Sequence, residues 1–260
     1  MAERKTMSGK LTIRDIFKVD GSGVPYLKLV IYGPSLAGKT SMLTVYNVLR
    51  KVEDPETIYS SLKKIDDPSG RTIFYDQSTF ELPKGQGVSV PKLRYQVWTV
   101  AGQKRHYIQR KVVLEGADGL IFMFDPSKNM WDDNVESLTE LLSLKKDSLG
   151  KSLPFIIVLN KIDMPAEDRT PTDKFLDLLV EKQLSSNKGD AYMRVIETSC
   201  LQARNELMTL LRSPDIKSKL DEYGRLQRGA RPLSVQKVAQ PIEQLTREII
   251  IHRVKSSKPE

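Results

Sequence analysis

The sequence predicts an α/β fold in which helices cover both faces of a doubly wound, mostly parallel sheet with one antiparallel edge hairpin. The first indication is a strand-like run at residues 26–32, followed by a glycine-rich loop and a helical pattern at residues 41–49. The second is a pair of nearly continuous apolar runs, at residues 119–125 and 154–160, which are typical of parallel strands buried on both faces. The third is the helical pattern between these two runs, at residues 135–142, because alternating strands and helices favour a parallel sheet.

The composition fits one folded domain without a disulfide framework. The chain has 260 residues, of which 39% are hydrophobic, and this is enough for a full core. Cys200 is the single cysteine, so we expect a reducing, cytoplasmic compartment. We find no apolar run that could span a bilayer, and the first residues lack the apolar centre of a secretory signal. The formal net charge of +8 suits an anionic partner, which could be a nucleotide, an acidic protein face or a lipid surface.

The chain divides into a short extension and one main domain. We expect residues 1–25 to form a basic N-terminal extension and residues 26–260 to form the domain. Within the extension, residues 13–17 have the apolar spacing of one amphipathic turn, which we expect to pack on the edge of the domain. Residues 54–71 look irregular, because Asp-Pro and Asp-Asp-Pro-Ser-Gly stretches interrupt regular structure there.

The remaining elements follow in order along the chain. Residues 72–80 and 88–100 predict the two strands of the antiparallel hairpin, since both are rich in β-branched and aromatic residues and glycines separate them. Thr170 and Pro171 predict a helix start, with a capping hydroxyl before a proline at the first helical position. Residues 192–197 predict the last strand.

A phosphate-binding pattern lies between the first long strand and the helix after it. Residues 33–40 read Gly-Pro-Ser-Leu-Ala-Gly-Lys-Thr, in which the glycines let backbone N–H groups converge on an anion at the start of the helix. Lys39 would place its ammonium on the outer phosphates, and the Thr40 hydroxyl would bind Mg²⁺. The nucleotide contacts expected of this segment are Gly33, Ser35, Leu36, Ala37, Gly38, Lys39, Thr40 and Ser41.

An Asn-Lys-x-Asp motif begins at Asn160, directly after a buried strand-like run. The Asp163 carboxylate can accept two hydrogen bonds from the N1–H and exocyclic amine of guanine, whereas adenine lacks this pair of donors. Asn160 would hold neighbouring loops, and the Lys161 stem would cover the base and ribose. Backbone N–H groups around Ser199 and Cys200, at the end of the next strand, could contact the guanine oxygen. The sequence therefore favours GTP and GDP over adenine nucleotides.

Two further segments carry a resemblance to a known family. Residues 99–103 read Thr-Val-Ala-Gly-Gln, and residues 71–76 read Arg-Thr-Ile-Phe-Tyr-Asp. Together with the phosphate-binding loop and the Asn-Lys-x-Asp motif, they make residues 26–200, plus a last helix, resemble the Ras-like small GTPases. Within these, the MglA-like branch is most similar, because it has an Arg-Thr-Leu-Phe-Phe-Asp segment at its first switch. The resemblance implies a P-loop NTPase fold, the small G domain.

The resemblance also implies roles for individual residues. Thr72 would be the switch threonine that senses the γ-phosphate and Mg²⁺, Gly102 would bond the γ-phosphate through its N–H, and Gln103 would orient the attacking water. Most Ras-like proteins have Asp-x-x-Gly-Gln in this motif, and the missing aspartate removes an outer-sphere partner of Mg²⁺. Asp76 is our candidate replacement, and the alternative is an unrelated exposed carboxylate. The expected metal site thus comprises Thr40, Thr72 and Asp76.

The chain departs from the compact Ras-like pattern in its last quarter. We expect an inserted helical segment at residues 201–233, with short helices around residues 203–211 and 215–223. The last helix should begin at Pro241, because proline is tolerated in a first helical turn but not inside a helix. The arginines at residues 225–231 would form a solvated loop or a patch for a partner or lipid.

These observations predict a cytoplasmic guanine-nucleotide switch that binds GTP and Mg²⁺ and hydrolyses GTP slowly to GDP. One alternative is a GTP-binding scaffold without hydrolysis, against which Gln103 argues. Another is a P-loop ATPase or nucleotide kinase, against which the Asn-Lys-x-Asp motif argues. The resemblance implies a GTPase-activating partner of the roadblock/longin type, and the effector stays open. We expect no specific nucleic-acid partner and no lipid anchor, since the chain ends without a prenylation cysteine, which leaves a weak electrostatic membrane contact possible.

Arg71 allows a test of how hydrolysis is stimulated. The MglA-like branch is thought to carry a transition-state arginine in its first switch, where Arg71 matches, and the alternative is a solvent-facing arginine. Such an arginine is worth roughly 10³–10⁵ in rate. Arg71→Ala should therefore leave GTP affinity nearly intact and reduce hydrolysis under a saturating roadblock-type activator by orders of magnitude. A variant that hydrolyses GTP within a few-fold of the parent would place Arg71 among ordinary surface charges.

Overall fold

The computed structural model describes residues 13–63, 75–82, 92–103 and 106–257. The strands in these residues are β1 (Lys18–Val19), β2 (Pro25–Tyr32), β3 (Ile58–Lys63), β4 (Tyr75–Glu81), β5 (Arg94–Val100), β6 (Gly119–Phe124), β7 (Phe155–Leu159) and β8 (Val195–Glu197). The helices are α1 (Ile13–Ile16), α2 (Lys39–Glu53), α3 (Tyr107–Leu114), α4 (Trp131–Lys145), α5 (Thr172–Glu181), α6 (Lys188–Arg194), α7 (Cys200–Arg212) and α8 (Leu233–Ser256).

The predicted sheet topology is confirmed. The strands follow the order β3-β4-β5-β2-β6-β7-β8, and β1 pairs with the start of β2. The pairs from β5 through β8 are parallel, whereas β4 runs antiparallel to β5 as the expected hairpin requires. The carboxyl ends of β2, β6, β7 and β8 therefore lie along one edge of the sheet, which is where ligands bind in open α/β sheets.

Alternate side chains of the central strands belong to two separate hydrophobic cores, one on each face of the sheet. On β6, Leu120, Phe122 and Phe124 point to one face, and Ile121 and Met123 point to the other. Helices α3, α4 and α5 cover the first face, and helices α2, α7 and α8 cover the second. Because both faces are covered, these strands are apolar almost without interruption, as the sequence indicated.

Strand β3 was not predicted. Residues 54–71 were expected to be irregular, but Ile58–Lys63 pair with β4 at the edge of the sheet. The pairing carries two register shifts, between Ile58 and Ser60 and between Ser60 and Lys63. An edge strand with such irregularities needs no clean alternation of apolar and polar residues, and this explains the weak sequence signal.

The predicted start of the last helix was wrong. Helix α8 begins at Leu233, directly after Pro232, and Pro241 lies inside it. A proline in a helix interior costs about 3 kcal/mol. Fully buried side chains on both sides of it, such as Val238 and Ile242, each contribute about 1.5–3 kcal/mol when buried, which offsets this cost. Tertiary packing therefore overrides the local signal.

Other predicted boundaries moved by smaller amounts. The first inserted helix is present as α7, but only a short 3₁₀ segment, Pro214–Lys219, replaces the second. Helix α6 takes up the beginning of the last predicted strand, which is reduced to Val195–Glu197. Helix α5 begins at Thr172, one residue after the predicted position of Pro171. The amphipathic turn at residues 13–17 is confirmed, because α1 and the buried Phe17 pack against the core.

The arginine-rich segment of the insert is partly buried, against the expectation of a solvated loop or a free patch. The Arg231 guanidinium binds both carboxylate oxygens of Glu53 at the end of α2, and it also contacts Glu243 on α8. Arg225 contacts Glu56. These ion pairs attach residues 225–231 to α2, to the segment just after α2 and to α8. None of the helices in the described part of the chain is long and apolar enough to cross a membrane.

The position of α8 on the sheet can be tested by truncating a buried leucine. Leu245→Ala should reduce the free energy of unfolding by about 2–5 kcal/mol, because Leu245 is fully buried against the sheet. The matched control is Leu233→Ala in the same helix, since Leu233 is 67% exposed and its change should fall within about 0.5 kcal/mol. Denaturant unfolding measures both, and equal losses would contradict the packing described.

Candidate nucleotide-binding site

The phosphate-binding loop has a backbone that only glycine can supply. Gly33 and Gly38 have φ angles of 145° and 103°, in the region that side chains disfavour. A Cβ at Gly33 would lie 2.3 Å from the Met123 carbonyl oxygen, and one at Gly38 would lie 2.2 Å from Asn160 Nδ2. The loop is thus pressed against β6 and against the segment after β7.

Helix α2 starts at the end of this loop. Its N-cap is Gly38, which offers no side-chain cap, and its first turn contains no acidic residue. The first N–H groups of a helix lack partners within the helix and carry the positive end of its dipole. The start of α2 can therefore accept an anion at Lys39, Thr40 and Ser41.

Lys39 lies folded inside the loop. It is buried, and its Nζ donates hydrogen bonds to the carbonyl oxygens of Gly33 and Pro34 at 2.9 and 2.5 Å. Burial, and to a lesser degree the charge of Arg110, lowers the pKa of Lys39 to about 7. Among the residues that the structure describes, the hydrogen-bond partners of the Lys39 amine are thus two neutral carbonyl oxygens and no carboxylate. In the same loop, the Leu36 side chain is exposed and Ala37 is buried.

Asp76 lies at the centre of a hydroxyl–carboxylate cluster. The hydroxyls of Thr40 and Thr99 both donate to its Oδ2, at 2.5 and 2.8 Å. Asp76 on β4 is directly opposite Thr99 on β5, and it is completely buried. The alternative interpretation of Asp76 as an exposed carboxylate was therefore wrong.

These oxygen donors fit a hard cation. Magnesium prefers carboxylate and hydroxyl oxygens, and it usually keeps one or two protein ligands and completes its coordination with water and phosphate oxygens. The pair formed by Thr40 and Asp76 meets this requirement. Within the described residues there is no cluster of three or more His, Cys, Asp or Glu side chains that could hold a metal alone. A cation here would thus depend on the phosphates of a nucleotide.

Gly102 brings the loop after β5 into contact with the phosphate-binding loop. A Cβ at this position would lie 2.3 Å from the Ser35 nitrogen and 2.6 Å from Ser35 Cα. Gln103 follows and is partly buried. Arg71 and Thr72, which were expected to complete this side of the site, lie outside the described residues.

Asn160 joins three segments at the edge of the sheet. Its Nδ2 donates to the Ala37 carbonyl in the phosphate-binding loop at 2.8 Å. Its Oδ1 accepts hydrogen bonds from the Thr198 hydroxyl at 3.1 Å and from the Cys200 N–H at 3.0 Å. One buried amide thus fixes the phosphate-binding loop, the segment after β7 and the segment after β8.

The residues expected to contact a base lie around Asn160. Lys161 has a positive φ of 60°, and its Nζ forms an ion pair with Asp125 Oδ2 at 2.5 Å. The Asp163 side chain is exposed. Ser199 caps α7 by accepting a hydrogen bond from the Gln202 N–H at 3.0 Å. Burial and the nearby Asp163 raise the pKa of Cys200 to about 12, so its thiol is neutral.

Sequence reasoning missed two residues of this region. Asp125, at the end of β6, holds Lys161, and its position directly after an apolar run was the available signal. Arg110 is buried on α3 and bonds the carbonyls of Ala101 and Gln103. A single arginine on an amphipathic helix carries no sequence signal of burial, because most such residues face solvent.

A phosphate-binding loop at the carboxyl edge of a parallel sheet, joined through Asn160 to an Asn-Lys-x-Asp segment, defines the class of P-loop small G domains. The family model described as "Ras of Complex, Roc, domain of DAPkinase" matches residues 28–163, which is more than half of the chain. The chain belongs to the family of Ras-like small GTPase domains.

Individual relatives agree with this membership. The chain is 33% identical over 142 residues to the mutual gliding-motility protein MglA of Myxococcus xanthus. This match covers 53% of this chain and 68% of that protein. It is 30% identical over 150 residues to the Ras-related protein RABG3a of Arabidopsis thaliana, and 29% identical over 149 residues to the GTP-binding protein yptV5 of Volvox carteri. Each of these two matches covers 57% of this chain and 64% of the relative, so the similarity extends over slightly less than two thirds of their length.

Proposed function

We propose that this chain is a cytoplasmic guanine-nucleotide switch that binds GTP with Mg²⁺ and hydrolyses it slowly to GDP. The observation that carries the proposal is the hydrogen-bond network of Asn160. This network holds the phosphate-binding loop at a fixed position relative to Asp163 and to the turn at Ser199. One molecule with a triphosphate at one end and a base at the other would contact both.

At the phosphate end, Lys39 is the central residue. We infer that phosphate oxygens replace the two carbonyls that Lys39 now contacts, because a charged acceptor makes a stronger hydrogen bond than a neutral one. The N–H groups at the start of α2 would bind the same anion. Negative charge beside Lys39 would also keep its amine protonated.

At the base end, Asp163 would pair with the guanine edge and the Lys161 stem would cover the ring. Lys161 would then exchange its ion pair with Asp125 for contact along the base and ribose. The Cys200 N–H already donates to Asn160, so a guanine oxygen would share that donor or use the N–H of Ser199. Discrimination would arise because adenine leaves the Asp163 carboxylate without donors.

The proposed metal site rests on the positions of a carboxylate and a hydroxyl on the paired strands β4 and β5. Most Ras-like proteins have an aspartate where this chain has Thr99, and the carboxylate here comes from the opposite position, Asp76. Because Asp76 contacts the Thr40 hydroxyl, we propose that Thr40 holds Mg²⁺ directly and Asp76 supports it, with Thr72 completing the set. A bound magnesium ion would neutralise charge on the outer phosphates. The same contact argues against the scaffold without hydrolysis, since the carboxylate is not lost.

Hydrolysis would use the loop after β5. We propose that Gly102 bonds the γ-phosphate and that Gln103 orients the attacking water, while Arg71 supplies transition-state charge. Next to this loop, helix α3 exposes Tyr107, Ile108 and Val112. An apolar surface at this position suits a protein partner, and we propose that an activating protein of the roadblock/longin type docks there.

Base selectivity tests the assignment of guanine. Asp163→Asn should weaken GTP binding by about 1.5–3 kcal/mol, the value of a hydrogen bond to a charged group, and should relax discrimination against xanthine nucleotide. The matched control is Asp168→Asn, because Asp168 is exposed in the same region and is not placed at the base. Competition binding with GTP, XTP and ATP measures the effect. Equal affinity of the parent protein for ATP and GTP would contradict the proposal.

The role of Asp76 can be tested by moving the carboxylate. Asp76→Asn should raise the Mg²⁺ concentration needed to retain nucleotide by about 10–100-fold, as expected for an outer-shell partner. Because the two positions face each other, the exchange variant Asp76→Thr/Thr99→Asp should return the Mg²⁺ concentration needed to retain nucleotide most of the way to the parent's value. Nucleotide dissociation measured over a series of Mg²⁺ concentrations provides the readout. If the Asp76→Asn variant retains nucleotide at the same Mg²⁺ concentration as the parent, Asp76 is not part of the metal site.

A further inference from the structure

The loop after β5 is tied to helix α4 by a buried arginine. The Arg110 side chain on α3 is 4% exposed, and its Nε and Nη2 donate to the two carboxylate oxygens of Glu140 at 2.7 and 2.6 Å. Its Nη1 donates to the carbonyl oxygens of Ala101, at 3.2 Å, and of Gln103. All three guanidinium nitrogens are therefore engaged, and the planar fork leaves little freedom in their directions.

Glu140 also contacts the start of the phosphate-binding loop. Its Oε1 accepts a hydrogen bond from the hydroxyl of Tyr32, the last residue of β2, directly before Gly33. Burial and the bond to Glu140 raise the pKa of Tyr32, so its hydroxyl stays protonated and remains a donor. Glu140 thus connects the ends of two neighbouring strands, β2 directly and β5 through Arg110.

The two carbonyls that Arg110 holds lie on either side of Gly102. The Ala101 carbonyl belongs to the same peptide group as the Gly102 N–H, so its bond to Arg110 restrains that N–H directly, and the bond to the Gln103 carbonyl holds the chain just after it. Gly102 itself packs against the Ser35 backbone with no space for a Cβ. A peptide N–H that must meet a phosphate oxygen is sensitive to small rotations of these groups. A misplacement of about 1 Å can cost on the order of 10²-fold in rate.

We propose that Arg110 is a positioning residue that, held by Glu140, sets the loop at residues 101–103 in the orientation that recognises the γ-phosphate. This inference rests on the proposed function, because it assigns a γ-phosphate contact to Gly102. It adds a link between GTP recognition and α4, a helix to which the proposed function assigns no nucleotide contact. Since GDP lacks the γ-phosphate, Arg110 affects the binding of GTP and its hydrolysis but not the binding of GDP.

The test removes the ion pair without leaving a buried charge unpaired. Arg110→Met/Glu140→Gln eliminates both charges, and the new glutamine still accepts the hydrogen bond from Tyr32. The matched control is Arg231→Met/Glu53→Gln, which removes another arginine–glutamate pair with a buried guanidinium, between the segment before α8 and α2. The affinities for GTP and GDP, single-turnover GTP hydrolysis and thermal unfolding are measured for the parent and both variants.

We expect the Arg110 variant to lower the hydrolysis rate by about 10²-fold and to reduce GTP affinity relative to GDP affinity. The control should lose a similar amount of thermal stability but keep the parent's rate and its GTP-to-GDP affinity ratio. A single Arg110→Lys variant, which retains the charge but not the fork, should lie between parent and double variant.

Two outcomes would overturn the role of Arg110. One is an Arg110 variant with the parent's rate and affinity ratio, and the other is an equal loss of GTP and GDP affinity, which would mark a purely structural residue. A parent protein that binds no guanine nucleotide would instead contradict the proposed function itself. If the parent binds GTP without hydrolysing it, the affinity ratio alone decides the role of Arg110.

Discussion

The arrangement of the site depends on the hydrogen bonds of one buried amide. Asn160 bonds the phosphate-binding loop through Ala37 and the turn after β8 through Thr198 and Cys200. Without these bonds, each partner would be left as a buried unsatisfied group, at about 1–3 kcal/mol apiece. The position of the phosphate-binding loop relative to the turn after β8 is therefore set by the folded protein before any ligand arrives. Such preorganisation reduces the entropy lost on binding.

The cluster around Asp76 brings a carboxylate from β4 and a threonine hydroxyl from β5 together at one point. In an antiparallel pair, directly opposite residues share a face and lie about 5 Å apart, so a carboxylate on either strand reaches the same region. Thr99 takes the position of the aspartate that most Ras-like proteins have, and its hydroxyl donates to the carboxylate of Asp76. The chemistry of the site thus has to be judged from the strand pair rather than from one motif.

Sequence patterns predicted correctly those features that depend on the conformation of a few neighbouring residues. Gly33 and Gly38 have positive φ angles that side chains disfavour, so the phosphate-binding loop could be identified from the sequence. The start of α8 depends on packing against the sheet, which outweighs the tendency of Pro241 to begin a helix. Strand β3 depends on its pairing with β4, and this pairing is too irregular to leave a clear pattern in the sequence. The burial of Arg110 is also a tertiary property, because Glu140 is thirty positions away along the chain.

The nucleotide that the protein carries tests guanine recognition most directly. The purified full chain is incubated with equal amounts of GTP and ATP in the presence of Mg²⁺, freed of unbound ligand, denatured, and the released nucleotide is identified by chromatography. We predict that GTP or its product GDP is recovered in stoichiometric amount and that adenine nucleotide is not. Recovery of ATP or ADP in comparable amount, or of no nucleotide, would contradict the assignment of this site to guanine nucleotides.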